Sequence, residues 1–333
     1  MKFAAKIFMS ALLLVTAVSC RQLKVLPRYD GSSLPARTQI NHGTLPHPQY
    51  ALREDTAFKF GKCVGGLQQD PVDRLRWDTE YLSSAACDGR EAGTRGSVEA
   101  SAFIYRQMRN SGLNPRIQSF KVQGRAGHNV IGEFPGRGEG CIVLLSYYDG
   151  VGTKGGSVYP GADSNASGVA AMLELARRLK GQCRQSIIVA ALDAHSLSMA
   201  GASEFTRSLG NRKIDLVVNI DILGSNLAPV YRLRKDYILC LGGRQFSAKL
   251  NSANSSGPDL HMIFDYYGSR NFTQLFYETV SDHRYFKERG VPCVMFTSGI
   301  TYNTNKSTDT CDILDYDLMN RRVELIARFI KSL

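Results

Sequence analysis

At 333 residues, 43% hydrophobic and 21% charged, the chain can bury a large core, and its composition excludes disorder and low complexity. The formal charge of +11 raises an anionic partner. The basic residues are dispersed, in pairs such as Arg177-Arg178 and Arg321-Arg322, with no long run and no nucleic-acid motif, so they read as a solvated surface and no nucleic acid is expected.

In chain order, residues 1–19 read as a secretory signal: Lys2 and Lys6, an apolar run from Phe8 to Val15, then small residues. The run is shorter than the roughly 20 residues of a membrane-spanning helix. Ala17-Val18-Ser19-Cys20 resembles a bacterial lipobox, which implies acylation of Cys20 and a lipid-anchored protein of the cell envelope, on its periplasmic or surface face, with the membrane as partner. Loss of Lys2 and Lys6 leaves 39 basic against 30 acidic side chains, a mature charge of +9. Residues 20–74 then read as the lipidated end, a tether and an irregular extension rich in Pro, Gly, Ser, His and Arg. Beyond Cys20 seven cysteines remain; Cys141, Cys240 and Cys293 lie in apolar runs and read as buried small hydrophobes.

Regular structure is expected from about residue 75 onward. Helices are predicted at Leu75 to Ser84, Gly96 to Ser111, Asn165 to Leu179, Met199 to Leu209, Phe272 to Val280 and Tyr316 to Lys331. Strands are predicted at Asn129 to Phe134, Cys141 to Tyr147, Ser186 to Leu192, Leu216 to Ile222, Tyr237 to Leu241 and Cys293 to Thr297. This alternation gives a single α/β domain over residues 75–333, a mixed central sheet with helices on both faces. Ligands of such sheets bind at loops leaving the carboxyl ends of strands, here Tyr147 to Asp163, Asp193 to Ser196, Asp221 to Ser225 and Thr297 to Asp309.

Those loops carry an ordered series of motifs. After Gly89-Arg90-Glu91-Ala92-Gly93-Thr94 come Asn129-Val130-Ile131-Gly132 and Pro160-Gly161-Ala162-Asp163-Ser164-Asn165-Ala166-Ser167-Gly168. Asn219-Ile220-Asp221-Ile222-Leu223-Gly224, Ser281-Asp282-His283, Gly290-Val291-Pro292 and Asp309-Thr310 follow. The series resembles the M28 zinc aminopeptidases, a family that includes the glutaminyl cyclases, and implies their phosphorylase/hydrolase-like, zinc-aminopeptidase-like fold.

The resemblance implies two zinc ions held by His, Asp, Glu, Asp and His, with a glutamate base that deprotonates a metal-bound water. Carried over by position, the first histidine is Tyr147, the bridging aspartate is Asp163, the base is His195, the ligand glutamate is Ser196 and the second aspartate is Asp221. The last histidine is replaced by Asn303 or Asn305, depending on which flanking motif sets the register. Asp149, Asp193, Asp282 and His283 stand around these positions as supporting groups.

With two of five ligands left and the base gone, no cofactor is expected, and zinc only in a remodelled site. Two arrangements stay open: a protonated His195 that hydrogen-bonds Asp163 or Asp221 in place of the missing cations, and a single metal on Asp163, Asp221 and His195. Ser196 beside His195 lacks the GxSxG elbow of a serine nucleophile. Tyr147, Tyr148, Tyr159, Tyr266, Tyr267, Phe296 and Tyr302 suggest an aromatic pocket for a peptide terminus or small ligand. The sequence thus reads as an M28-like envelope lipoprotein, inactive as a two-zinc aminopeptidase, acting in peptide or small-ligand binding or scaffolding. The alternative is a hydrolase or cyclotransferase on peptide amino termini with a remodelled or single-metal site.

Overall fold

The computed structural model describes residues 70–333; the signal, Cys20 and nearly all of the expected tether lie outside the described residues. Helix α1 (Pro71–Leu82) begins four residues before the boundary expected from sequence. Pro71 takes a first-turn position where its missing N–H costs nothing, and the Asp70 carboxylate accepts from Val72 N at 2.7 Å. Helix α2 (Arg95–Asn110) is capped by Thr94.

Two strands, β1 (Arg116–Val122) and β2 (Arg125–Phe134), form an antiparallel hairpin. Strand β3 (Cys141–Tyr147) precedes a small hairpin of β4 (Gly152–Lys154) and β5 (Ser157–Tyr159). There follow α3 (Gly168–Leu179), β6 (Ser186–Leu192), α4 (Ala200–Ser208), β7 (Ile214–Ile220) and β8 (Tyr237–Leu241). The chain continues with α5 (Ser247–Ser255), β9 (His261–Phe264), α6 (Arg270–Gln274), α7 (Arg284–Lys287), β10 (Cys293–Thr297) and α8 (Tyr316–Lys331).

Eight strands make one mixed sheet in the order β1-β2-β6-β3-β7-β10-β8-β9. The centre, β6-β3-β7-β10, is parallel; β2 and β8 pair antiparallel on either side. All seven residues of β3 are buried, as a strand covered on both faces requires. Its pleat divides them: Ile142 and Leu144 join the larger core with α1, α2, α3 and α8, while Cys141, Val143 and Leu145 join a second core with Phe205 of α4 and Phe286 of α7. Helices therefore cover both faces. The carboxyl ends of β6, β3, β7 and β10 all point to one end of the sheet and gather the loops at 193–199, 148–161, 221–236 and 298–310.

Sequence and structure differ where side-chain periodicity is weak. The half-exposed β1 and the short β4, β5 and β9 carry no sustained apolar alternation. The helix expected from Asn165 starts at Gly168, because residues 162–167 form a wider turn with Ser164 and Asn165 off helical angles. The helix expected over Phe272 to Val280 is α6 followed by another wide turn, Leu275–Thr279. The strand expected to run to Ile222 ends at Ile220, which leaves Asp221 just beyond it.

The arginine pairs also differ from the expected solvated surface. Arg322 is fully buried and donates to the carbonyls of Tyr237, Leu223 and Ser225 at 2.9, 2.9 and 2.8 Å. Arg177 and Arg178 converge on buried Glu174.

Candidate functional site

The loop after β5 is built around Asp163. Gly161 sits at φ 59°, where a side chain is disfavoured, and a Cβ there would lie 2.6 Å from Ser164 O. Fully buried Arg90 ties this loop to its neighbours, donating to the carbonyls of Leu82, of Tyr148 at 2.8 Å, of Pro160 at 2.7 Å and of Gly161 at 2.8 Å. Asp309 holds it from the other side, its two carboxylate oxygens accepting from Asp163 N at 2.7 Å and Ser164 N at 3.0 Å. Burial, and then the neighbouring Asp163, push the Asp309 carboxyl up to about 7.

Asp163 Oδ1 accepts from Gly224 N at 2.9 Å, Ser225 N at 3.2 Å and Ser167 Oγ at 3.2 Å. Its Oδ2 is buried with no hydrogen-bond partner. Burial raises this carboxyl, and the donors from Ser225 and Gly224 oppose the rise. Asp221 is likewise buried, with Oδ1 unpartnered. Burial pushes it up to about 7, against the lowering effect of the His195 charge.

His195 is fixed at both ends. Its backbone N donates to Asp149 Oδ1 at 2.7 Å, while Ser196 N and Oγ donate to Asp149 Oδ2 at 3.1 and 2.8 Å. Its ring lies flat on Tyr147, centroids 4.0 Å apart and planes 14° apart, and Nδ1 is 2.8 Å from Asp282 Oδ2. Burial would lower this imidazole, but the charge and hydrogen bond of Asp282, with Asp149 and Asp221 beyond, raise it to about 9. His195 is therefore an imidazolium at neutral pH. It does not hydrogen-bond Asp163 or Asp221, as one expectation had it: the Asp149 clamp and the Tyr147 stack turn Nδ1 toward Asp282.

The remaining positions divide. Asp193 accepts from Ser97 Oγ at 3.2 Å, His128 N at 3.0 Å and Ala194 N at 2.8 Å, and is pushed up to about 7 by burial and the Asp149 charge. His283 is buried with Nδ1 3.0 Å from Asn219 Nδ2; burial and Lys287 hold it down at about 3, so it is neutral. Asn303 turns its amide oxygen to Thr308 Oγ1 at 2.8 Å, and Asn305 is exposed at φ 59°. Neither asparagine reaches the carboxylates by a hydrogen bond among the described contacts. Ser196 Oγ is spent on Asp149, not aimed at His195. Cys20 lies outside the described residues.

Among the described residues, the aromatics expected to line a pocket line neither of the two clefts found. Tyr148, Tyr267 and Phe296 are core residues, while Tyr266 and Tyr302 point to solvent. Clefts of about 450 and 390 Å³ lie elsewhere, against Asp312 to Asp317 and against Thr206 to Asn211, and neither touches Asp163 or Asp221.

Asp163 Oδ2 and Asp221 Oδ1 are free acceptors of the right kind for zinc. Tyr147 and Ser196 replace nitrogen and carboxylate donors, and His195 Nδ1 is engaged by Asp282. Among the described residues no three His, Cys, Asp or Glu side chains are grouped to hold a metal ion. The residues present do not fit a zinc pair.

Arg90, Asp309, Ser225 and Arg322, which hold the Asp163 loop and its neighbours, were not singled out from sequence as site residues. A buried arginine has no local pattern that distinguishes it from a solvated one. Asp309 carried a signal, its place in the Asp309-Thr310 motif.

The sequence pattern of peptidase family M28 matches residues 129–330. The chain is 26% identical over 284 residues to the uncharacterized protein YfbL of Escherichia coli K12, a match spanning 76% of this chain and 85% of that protein. Among solved structures it is similar to BSAP, a zinc aminopeptidase from Bacillus subtilis, with TM-score 0.65 and 13% identity over 78% of this chain and 95% of that one. It is also similar to Porphyromonas gingivalis glutaminyl cyclase, with TM-score 0.62 and 17% identity over 78% and 98%. At such identities the structural likeness shows the fold.

Proposed function

This chain belongs to peptidase family M28, and we propose that its domain is a metal-independent binder of peptide amino termini or similar small ammonium ligands, without two-zinc aminopeptidase activity. The carrying observation is the 2.8 Å pair of His195 and Asp282 beneath Tyr147. It puts a protein cation where the family pattern has its base, beside carboxylates that otherwise call for metal. What remains for a ligand is acceptor chemistry: Asp163 Oδ2, Asp221 Oδ1 and Asp282 Oδ1 are buried without partners. An α-ammonium brings three N–H donors in a small volume, which answers unsatisfied buried acceptors. Because those oxygens are buried, a ligand reaches them only when the side chains over them shift aside.

Isothermal titration in the presence of a chelator tests this reading. Short peptides with free amino termini are expected to bind, their N-acetylated forms are not, and no amino acid is released. Chelator-sensitive release of amino-terminal residues would overturn it.

A hydrolase or cyclotransferase with a remodelled or single-metal site is the second reading. It is favoured by the partly exposed His195 imidazolium, an acid able to give a proton to a leaving group. Turnover that Asp163→Asn abolishes would select it. We also propose that residues 1–19 are removed and that acylated Cys20 anchors the chain in a bacterial envelope membrane. Radiolabelled palmitate incorporation is expected in the wild type and absent in Cys20→Ala.

A further inference from the structure

Residues 221–236 link β7 to β8 at the same end of the sheet as the Asp163 site; Gly224 and Ser225 supply backbone donors to Asp163, and the segment 226–236 follows them. Within seven residues this segment exposes Leu227 at 49%, Tyr231 at 56% and Leu233 at 96%. A single exposed leucine needs no explanation. Here the apolar tips alternate with Arg232, Arg234 and Lys235, all exposed, in the run Tyr231-Arg232-Leu233-Arg234-Lys235.

The segment is held in this posture. Val230 packs on the core cluster of Tyr237 and Tyr267, and Ala228 N donates to the Tyr237 hydroxyl at 3.2 Å. Arg234 N closes a turn on Tyr231 O at 2.9 Å, and the Tyr231 ring meets His261 edge-on at 5.2 Å. Arg234 is tied to Asp236 at 3.0 Å, which leaves Arg232 and Lys235 as the cations facing outward without a described acidic partner.

We propose that residues 227–235 are a membrane contact that inserts Leu233, with Leu227 and Tyr231, into the boundary of an anionic bilayer while Arg232 and Lys235 meet lipid phosphates. Interleaved apolar and basic side chains on an exposed turn suit that boundary, where tips enter the acyl region and cations stay among headgroups. The core of a protein interface is instead depleted of lysine and concentrates its apolar residues. The mature charge of +9 has the sign the surface requires. The contact is separate from what the Asp163 site binds and from acylation of Cys20.

The test uses the mature chain carrying Cys20→Ser, so that no lipid anchor contributes, and co-sedimentation with vesicles of phosphatidylethanolamine and phosphatidylglycerol at 3:1 or of phosphatidylcholine alone. Binding to the anionic vesicles is expected, weakened by added salt and at least about tenfold by Leu233→Asp. Arg232→Glu with Lys235→Glu is expected to abolish the preference for anionic lipid. Both variants alter exposed side chains, and unchanged thermal unfolding verifies their fold. No binding to either vesicle, or binding that Leu233→Asp leaves intact, would overturn the proposal. Concentration-dependent self-association in sedimentation velocity, lost in Leu233→Asp, would assign the patch to a second copy and overturn it equally.

Discussion

Glu174 on α3 and Asp221 after β7 are both buried acids, and their surroundings drive them in opposite directions. Glu174 Oε2 and Oε1 receive Arg74 Nε and Nη2 at 2.7 and 2.8 Å, and Oε1 receives Arg178 Nε at 2.9 Å, with Arg177 bound to Asp78 alongside. Burial raises its carboxyl, but the hydrogen bonds of Arg74 and Arg178 outweigh burial and hold it below the ordinary value. Asp221 has the same burial without such donors and is pushed up to about 7. In the first cluster, which joins α1 and α3, both Glu174 oxygens are partnered and Asp78 Oδ1 alone is left without a partner; in the second, Asp163 Oδ2 and Asp221 Oδ1 are both without one. An acid that holds two helices together, as Glu174 does, has both oxygens satisfied by arginines, whereas the carboxylates around His195 have no arginine donor and stand as candidates for a role other than stability.

The strongest break of this contrast is Glu174→Ala, which leaves Arg74 and Arg178 clustered without their acid. It is expected to destabilise the domain by about 4 kcal/mol in urea unfolding. A loss under about 1 kcal/mol would make the two clusters equivalent.

Asp221→Asn is expected to act in the other direction. A carboxyl raised in the folded state favours folding below its unfolded value near 4 and loses that contribution as pH rises through about 7. Asp193 and Asp309, also raised to about 7, follow the same course. Stability should therefore fall between pH 4 and 7, and Asp221→Asn should remove about 3 kcal/mol of that fall. An unchanged pH profile in the variant would remove the electrostatic difference between the clusters.

His195 sharpens the contrast from the side of the cation. Raised to about 9, it contributes stability that is complete below about 6.5 and disappears as pH passes 9. Asp282→Asn is expected to return the imidazole toward its ordinary value and cost about 2 kcal/mol at pH 7, read by unfolding at pH 7 and at pH 10, where wild type and variant should converge. The smallest effect is expected from Tyr147→Leu, which removes the stacked ring: about 1 kcal/mol, with His195 still titrating above 8.

Much of this was readable in the sequence, for identifiable reasons. The central strands were placed within two residues because parallel strands buried on both faces leave continuous apolar runs, as in Cys141-Ile142-Val143-Leu144-Leu145. Strand β1, half exposed on its hairpin, left no such trace. At the site, motif order singled out Asp163, Asp221 and His195 for attention, because a strand followed by its loop is a local pattern. The partner of His195 was not local: Asp282 is 87 residues away and meets it only through the sheet. Arg322 read as surface because charge alone does not tell a solvated guanidinium from one that spans three carbonyls.

The most direct measurement is an NMR titration of the His195 imidazole in the full mature chain, with and without one equivalent of zinc. An imidazolium paired to Asp282 is expected to titrate near pH 9 and to keep its signals when zinc is added. Titration below pH 6.5 would show that His195 does not balance the carboxylates, and displacement of its signals by stoichiometric zinc would show that a metal takes that place.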